Sequence, residues 1–136
     1  MILLDTVAFI RLAQGEPLSE TALRAVAAAD RAQAMLLSVV SIWELDTLAR
    51  RTGKTGAAIG PDAKHWIATA LSRIPAIVIA FDAEDAMALL DLPPMHADPA
   101  DRMLVATARR RAIPLVTSDD KILDMAKRGQ LAAIGC

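Results

Sequence analysis

Short apolar runs alternate along this chain with longer amphipathic stretches, a pattern satisfied by a parallel sheet with helices packed against it. Met1–Leu4 predicts a first strand, and Ala34–Leu37, closed by Ser38, a second. Ala76–Ala80 is the clearest β-branched run and predicts a third. Pro114–Thr117 predicts a buried fourth, and Leu131–Ile134 a last. Helices are expected from about Ser19 to Ala32, where Leu18, Ala22, Leu23, Val26 and Ala27 fall at helical spacing. Others run from Ser41 to a stop at Gly53, from Pro61 to Ser72 before Pro75, and from Asp82 to Leu90. A long one starts at Asp98-Pro99 and reaches about Ala112, and a last one opens at Ser118-Asp119. Gly53–Gly60 reads as a polar turn region. There is no repeat, low-complexity tract or long linker, so residues 1–136 are expected to form one α/β domain.

With 54% hydrophobic residues the chain can build a sizeable core without staples. Its single cysteine, Cys136, rules out an internal disulfide framework and any cysteine-based zinc site, and fits a reducing cytoplasm. Met1-Ile-Leu-Leu-Asp5 has neither the basic start nor the length of a signal peptide. Nothing approaches the roughly 20 apolar residues of a spanning helix, so no membrane partner is expected. A formal net charge of −1 excludes a generic polyanion binder with a basic surface. Bases are nonetheless clumped at Arg50-Arg51, Lys54, Arg109–Arg111 and Lys127-Arg128, which reads most simply as solvated helix ends favoured by the helix dipole.

The acids fall at informative places. Asp5 ends the first strand and Asp119 follows the fourth, and in open parallel sheets the functional crevice lies beyond the C-terminal ends of the strands. Glu44 and Asp101 are each expected in the first turn of a helix starting at that same edge, so four carboxylates converge. Each also has a capping reading. Asp98-Pro-Ala-Asp101 looks like a helix start with an N-cap acid, Ser41-Ile-Trp-Glu44 matches a capping box, and Asp119 suits a helix N-terminus. Asp5 could cap the next helix, but a carboxylate directly after Ile-Leu-Leu lies near the core and is costly unless paired or bound to a cation. Convergent carboxylates repel, and Mg²⁺ or Mn²⁺ suits their oxygens. Such an ion can polarise a phosphate oxygen and activate water, chemistry that needs neither a histidine nucleophile nor a glycine-rich phosphate loop.

Four pieces in order resemble the PIN domain and, within it, the VapC-type toxins of bacterial toxin–antitoxin pairs. They are Leu3-Leu4-Asp5-Thr6, Ser38–Leu45, His96–Ala108 and Leu115–Asp119, spread through essentially the whole chain. The resemblance implies a three-layer α/β/α sandwich on a parallel sheet and a Mg²⁺- or Mn²⁺-dependent ribonuclease acting on RNA. It assigns Asp5, Glu44, Asp101 and Asp119 as first to fourth acids, with Asp5 and Asp101 the principal metal ligands. Asp119 would help hold a metal or orient water, and Glu44 would position the water or act as a base. Asp98 competes with Asp101 for the third role; Asp101 is preferred because the apolar helix follows it. A homodimer and a cognate antitoxin that occludes the site are also implied. Many relatives carry a base shortly after the second acid, whereas here Asp46-Thr-Leu intervenes and the bases come at Arg50 and Arg51.

Thr6, Thr117 and Ser118 are candidates to line the site, though hydroxyls at strand ends commonly cap. His96 precedes the Asp98 cap and reads as a loop histidine with an ordinary local role, contact with substrate being the alternative; His65 reads as a helix-surface residue. Trp43 and Trp66 are expected in core or interface packing, with stacking on bases the alternative. Three rivals stand beside the ribonuclease: a catalytically silent RNA-binding or scaffold module of this fold, a housekeeping RNA-processing or DNA nuclease, and an aspartyl phospho-receiver or phosphatase. The last fails on sequence, because a receiver wants paired acids after its first strand and an Asp-x-Asp phosphatase wants an acid where Val7 stands.

Overall fold

Each apolar run becomes a short strand in the computed structural model, which describes residues 1–51 and 53–136. Strands β1 (Ile2–Leu4), β2 (Met35–Ser38), β3 (Ile77–Ile79), β4 (Leu115–Thr117) and β5 (Ala133–Gly135) form one sheet in the order β3-β2-β1-β4-β5, every pairing parallel. The central pair is in register at Leu4 and Val116, and the Asp5 amide extends it by donating to the Val116 carbonyl at 3.0 Å.

The period of two along the strands divides the core. Ile2 and Leu4 of β1, Met35 and Leu37 of β2, and Val116 of β4 pack with Phe9, Ala22, Leu45 and Ala70 on one side. Leu3, Leu36 and Leu115 face the other way, against Leu104, Val105, Ala108, Ile122 and Met125. The first layer is built from α1 (Thr6–Ala13), α2 (Glu20–Arg31), α3 (Val39–Ala49) and α5 (Ala63–Arg73); the second from α7 (Pro99–Arg111) and α8 (Asp120–Lys127). This is the α/β/α sandwich, with two apolar cores separated by the sheet. Two shorter helices, α4 (Lys54–Ile59) and α6 (Ala83–Ala88), complete the described elements together with a 3-10 turn at Leu89–Asp91. No helix among the described residues is long and apolar enough to cross a membrane.

Several expectations shift. Helix α1 was not expected: Ala8, Phe9 and Ile10 are buried in succession, which hides the helical period. Gly53–Gly60 holds α4 instead of a turn; Gly56 approaches the Leu48 and Arg51 carbonyls so closely that a Cβ there has no room. In α2, Leu23 is half exposed while Ala22 and Ala29 carry the contact with the sheet. Helix α3 begins at Val39, earlier than Ser41, because Ser38 both ends β2 and caps the helix, accepting the Val40 N–H at 3.1 Å. Its end is at Ala49; Thr52, in the stretch read as helix to Gly53, and the Lys54 side chain lie outside the described residues. The β-branched run at β3 forms a sheet edge, with Ile77 50% exposed.

Most of the basic clusters are engaged. Arg110 and Arg111 grip the completely buried Asp85 at 2.7 and 2.6 Å and also reach Asp82, tying the end of α7 to the capping box that opens α6. Despite the cost of its burial, the Arg111 and Arg110 guanidiniums hold the Asp85 carboxyl down at about 2. Arg109 donates to the Gln130 carbonyl, Arg50 pairs with Asp46, and Lys127 pairs with Asp124. The solvated-end reading is therefore corrected at Arg110 and Arg111, which are structural clamps because a buried carboxylate awaits them. His65 is exposed on α5, as expected. Trp66 packs edge-on against Phe9 at 6.1 Å in the core, whereas Trp43 is 54% exposed on α3.

Candidate active site

The strand order reverses direction between β1 and β4. The chain builds outward from β1 through β2 to β3, then returns to β1's other side. A crevice opens at such a switch, at the strands' C-terminal ends. Asp5 follows β1 and Asp119 follows β4 by two residues, so both stand at its mouth. Helices α3 and α7 bring Glu44 and Asp101 toward it.

Capping and clustering turn out to be compatible. A carboxylate has two oxygens, and Asp5 uses Oδ1 to accept the Ala8 N–H at 2.6 Å, opening α1. Asp119 uses its Oδ1 to accept from Lys121 and Ile122 at 2.8 and 3.0 Å, opening α8, while its Oδ2 faces His96. Thr117 is fully buried and its hydroxyl accepts the Asp119 N–H at 3.0 Å, fixing the turn that aims this acid. Asp98 is a cap, accepting the Asp101 N–H at 3.1 Å, and is exposed. Asp101, at the third position of α7, makes no such cap and turns inward. Glu44 sits in the second turn of α3, not the first, because that helix starts at Val39. The capping box read at Ser41–Glu44 is absent: Ser41 is buried inside the helix, its hydroxyl without a partner. Ser118 is exposed in the turn between β4 and α8.

The electrostatics show how closely the acids gather. Burial pushes Asp5 up to about 6, opposed by the Thr117 hydroxyl and the Ala8 N–H and reinforced by Glu44 and Asp119. Asp101 is pushed up to about 7 by burial and then by Asp98, Asp119, Glu44 and Asp5. Glu44 is raised by burial and by Asp98. The Thr6 hydroxyl pulls it back down without reaching close hydrogen-bond geometry, and Arg51 lowers it further. That places one of the two delayed bases beside the second acid; Arg50 points away, to Asp46. The four acids thus feel one another through a shared crevice. Within common ligand reach the set is narrower: His96, Asp101 and Asp119 offer ligand atoms that lie within 4.8 Å of each other.

His96 is the residue whose place the sequence understated. Its Nε2 lies 3.4 Å from Asp101 Oδ2 and 3.6 Å from Asp119 Oδ2, buried and without a hydrogen-bond partner. The available signal was its position two residues before a helix cap whose helix carries the third acid. A donor set of carboxylate oxygens with one imidazole nitrogen that is buried and unsatisfied fits a divalent cation. Chemically, such a centre can take up a metal ion and hold an anionic phosphate against it.

The PIN domain family model matches residues 2–128. Among solved structures, VapBC2 from Rickettsia felis bound to a promoter DNA fragment shares 17% identity at a TM-score of 0.71, covering 100% of this chain and 99% of that one. DNA-bound VapBC from Salmonella typhimurium shares 17% at a TM-score of 0.67, covering 99% and 98%. FitAcB from Neisseria gonorrhoeae shares 22% at a TM-score of 0.59, covering 98% and 96%. These likenesses establish a common fold. No curated protein matches the sequence.

Proposed function

The chain belongs to the PIN-domain family, whose members are generally nucleases, and we propose that it is a metal-dependent endoribonuclease, the toxin of a toxin–antitoxin pair. The observation that carries the reading is the convergence of Asp5, Glu44, Asp101 and Asp119 at the β1/β4 switch, with Asp101 pushed up to about 7. Carboxylates so crowded call for positive charge, and that call is the ground for a cation site. Asp101, Asp119 and Asp5 hold Mg²⁺ or Mn²⁺. When bound, the ion supplies Lewis-acid polarisation of a phosphodiester oxygen and activation of water. Glu44, at the side of the cluster and near Arg51, positions the attacking water or accepts its proton. Arg51, exposed and close enough to lower Glu44, would offer a positive charge to a backbone phosphate. Thr6 and Thr117 are buried beside the acids, and Thr117 fixes the turn that carries Asp119.

A cognate antitoxin and a homodimer belong to the same proposal. Its support is the fold shared with the toxin–antitoxin complexes and the apolar surface left open at Val39, Trp43, Ile77 and Val78. The test is cleavage of a mixed RNA pool by the purified protein with Mg²⁺, Mn²⁺ or EDTA, beside Asp101→Ala. Metal-dependent cleavage lost in the variant is the expected result, with a drop of about a hundredfold or more. Cleavage that persists in EDTA or in Asp101→Ala refutes it.

A further inference from the structure

We infer that His96 is a metal ligand, and that through its imidazole the site selects Mn²⁺ over Mg²⁺. The inference rests on the carboxylate-metal reading above and deepens it. His96 Nε2 faces Asp101 Oδ2 at 3.4 Å and Asp119 Oδ2 at 3.6 Å. Ligand atoms about 2.1 Å from one octahedral ion, on adjacent positions, lie about 3 Å apart. The spacings found are those of a site slightly open, closing by a few tenths of an ångström around an ion. The nitrogen is buried and has no hydrogen bond, a costly arrangement for a group that ordinarily donates or accepts. The two acids stand within ion-pair distance of it, yet neither contact reaches hydrogen-bond geometry.

The choice of metal follows from the ligand atoms. Mg²⁺ is a hard cation that keeps oxygen and water around it, whereas imidazole suits borderline transition metals. Exchanging one oxygen for nitrogen in a carboxylate set therefore favours Mn²⁺. Asp5, wrapped around the start of α1 through its Oδ1, and Glu44 remain to complete the oxygen side. His96 lies in the loop that leads into Asp98, the cap of α7, so the same short segment presents both His96 and Asp101 to the ion.

The test uses the EDTA-stripped full chain, titrated with MnCl₂ and MgCl₂ by calorimetry, and pulsed electron paramagnetic resonance of the Mn²⁺ form. The variants are His96→Gln and Asp101→Ala, each checked for fold by circular dichroism. Wild type is expected to show ¹⁴N coupling to Mn²⁺ and tighter Mn²⁺ than Mg²⁺ binding. His96→Gln is expected to lose the coupling and weaken Mn²⁺ about tenfold or more, with Mg²⁺ changed less than about threefold. Mn²⁺ bound in wild type without ¹⁴N coupling, or equal weakening of both metals in His96→Gln, overturns the ligand role and leaves the carboxylate site standing. Failure of wild type to bind either metal, or undiminished binding by Asp101→Ala, overturns the carboxylate reading itself, and this inference with it.

Discussion

Replacing Asp101 by Asn should stabilise the metal-free protein, and should do so only where the carboxylate is charged. The folded protein holds Asp101 at about 7 against an ordinary value of 3.8. Folding therefore favours the protonated form. Below 3.8 both states are protonated and no penalty exists. Between about 4 and 7 the unfolded chain ionises while the folded one resists, so stability falls as pH rises, and above about 7 the full penalty is present. At about 1.36 kcal/mol per pKa unit the ceiling is about 4 kcal/mol. The acids relieve one another as any of them takes a proton, which leaves about 2–3 kcal/mol. The Asp101 side chain is only 23% exposed, so solvent screening removes little of that. Urea unfolding in EDTA at pH 4.5 and pH 8 reads the effect. With a slope of about 2 kcal/mol per molar, the midpoint of Asp101→Asn should move up by about 1 M at pH 8 and far less at pH 4.5. Adding Mn²⁺ should reverse the order, because binding stabilises the wild type by mass action. The same upward shift at both pH values, or a lower midpoint at pH 8, refutes the argument that burial and neighbouring acids penalise the charged form.

Asp85→Ala leaves Arg110 and Arg111 facing an emptied buried site and removes the capping box of α6, so a loss of about 3–5 kcal/mol is expected in chemical denaturation. Because Asp85 sits at about 2 in the folded chain, its stabilisation is present above its ordinary 3.8 and disappears as pH falls toward 2; an acid unfolding curve for Asp85→Asn should be flatter than wild type there. Phe9→Ala empties the core beneath Trp66 and should cost about 3–5 kcal/mol, read as a lowered urea midpoint, with retained stability refuting the packing described. Ala112 closes α7 with φ 52, a left-handed conformation that costs an L-residue about 1 kcal/mol. Ala112→Gly should therefore raise stability by up to about 1 kcal/mol, and a clear loss contradicts the strain.

The central strands were legible because their apolar runs are short, bounded by polar or turn residues, and buried on both faces, as at Leu3-Leu4 and Leu115-Val116; the edge strand β3 was legible from its β-branched composition. Helix α7 was legible through Asp98-Pro99, a start signal with local causes. Helix α1 was not, since a helix entering the core directly from a strand buries consecutive residues and shows no polar face at its start. The start of α3 was misplaced for a related reason: Ser38 and Ser41 are equally good caps in sequence, and only the strand's end chooses between them. At the site, Asp5 and Asp119 announced themselves by following strands. His96 did not, because a loop residue's neighbours are set by chain return across the switch, which no local spacing encodes.

The division of duty between the two oxygens of Asp5 and Asp119 bears on how such a protein can be disarmed. Alanine at either position would silence the cluster and also untie the beginning of a helix, so an inactive mutant would be a damaged one. Asparagine keeps the capping oxygen and discards the charge. Asp101 carries no such second task, and its loss relieves crowding. Silent but sturdy descendants are therefore open to more kinds of substitution at position 101 than at 5 or 119, where a capping side chain has to be kept. A laboratory wanting an intact decoy to trap a bound partner should begin at the same place.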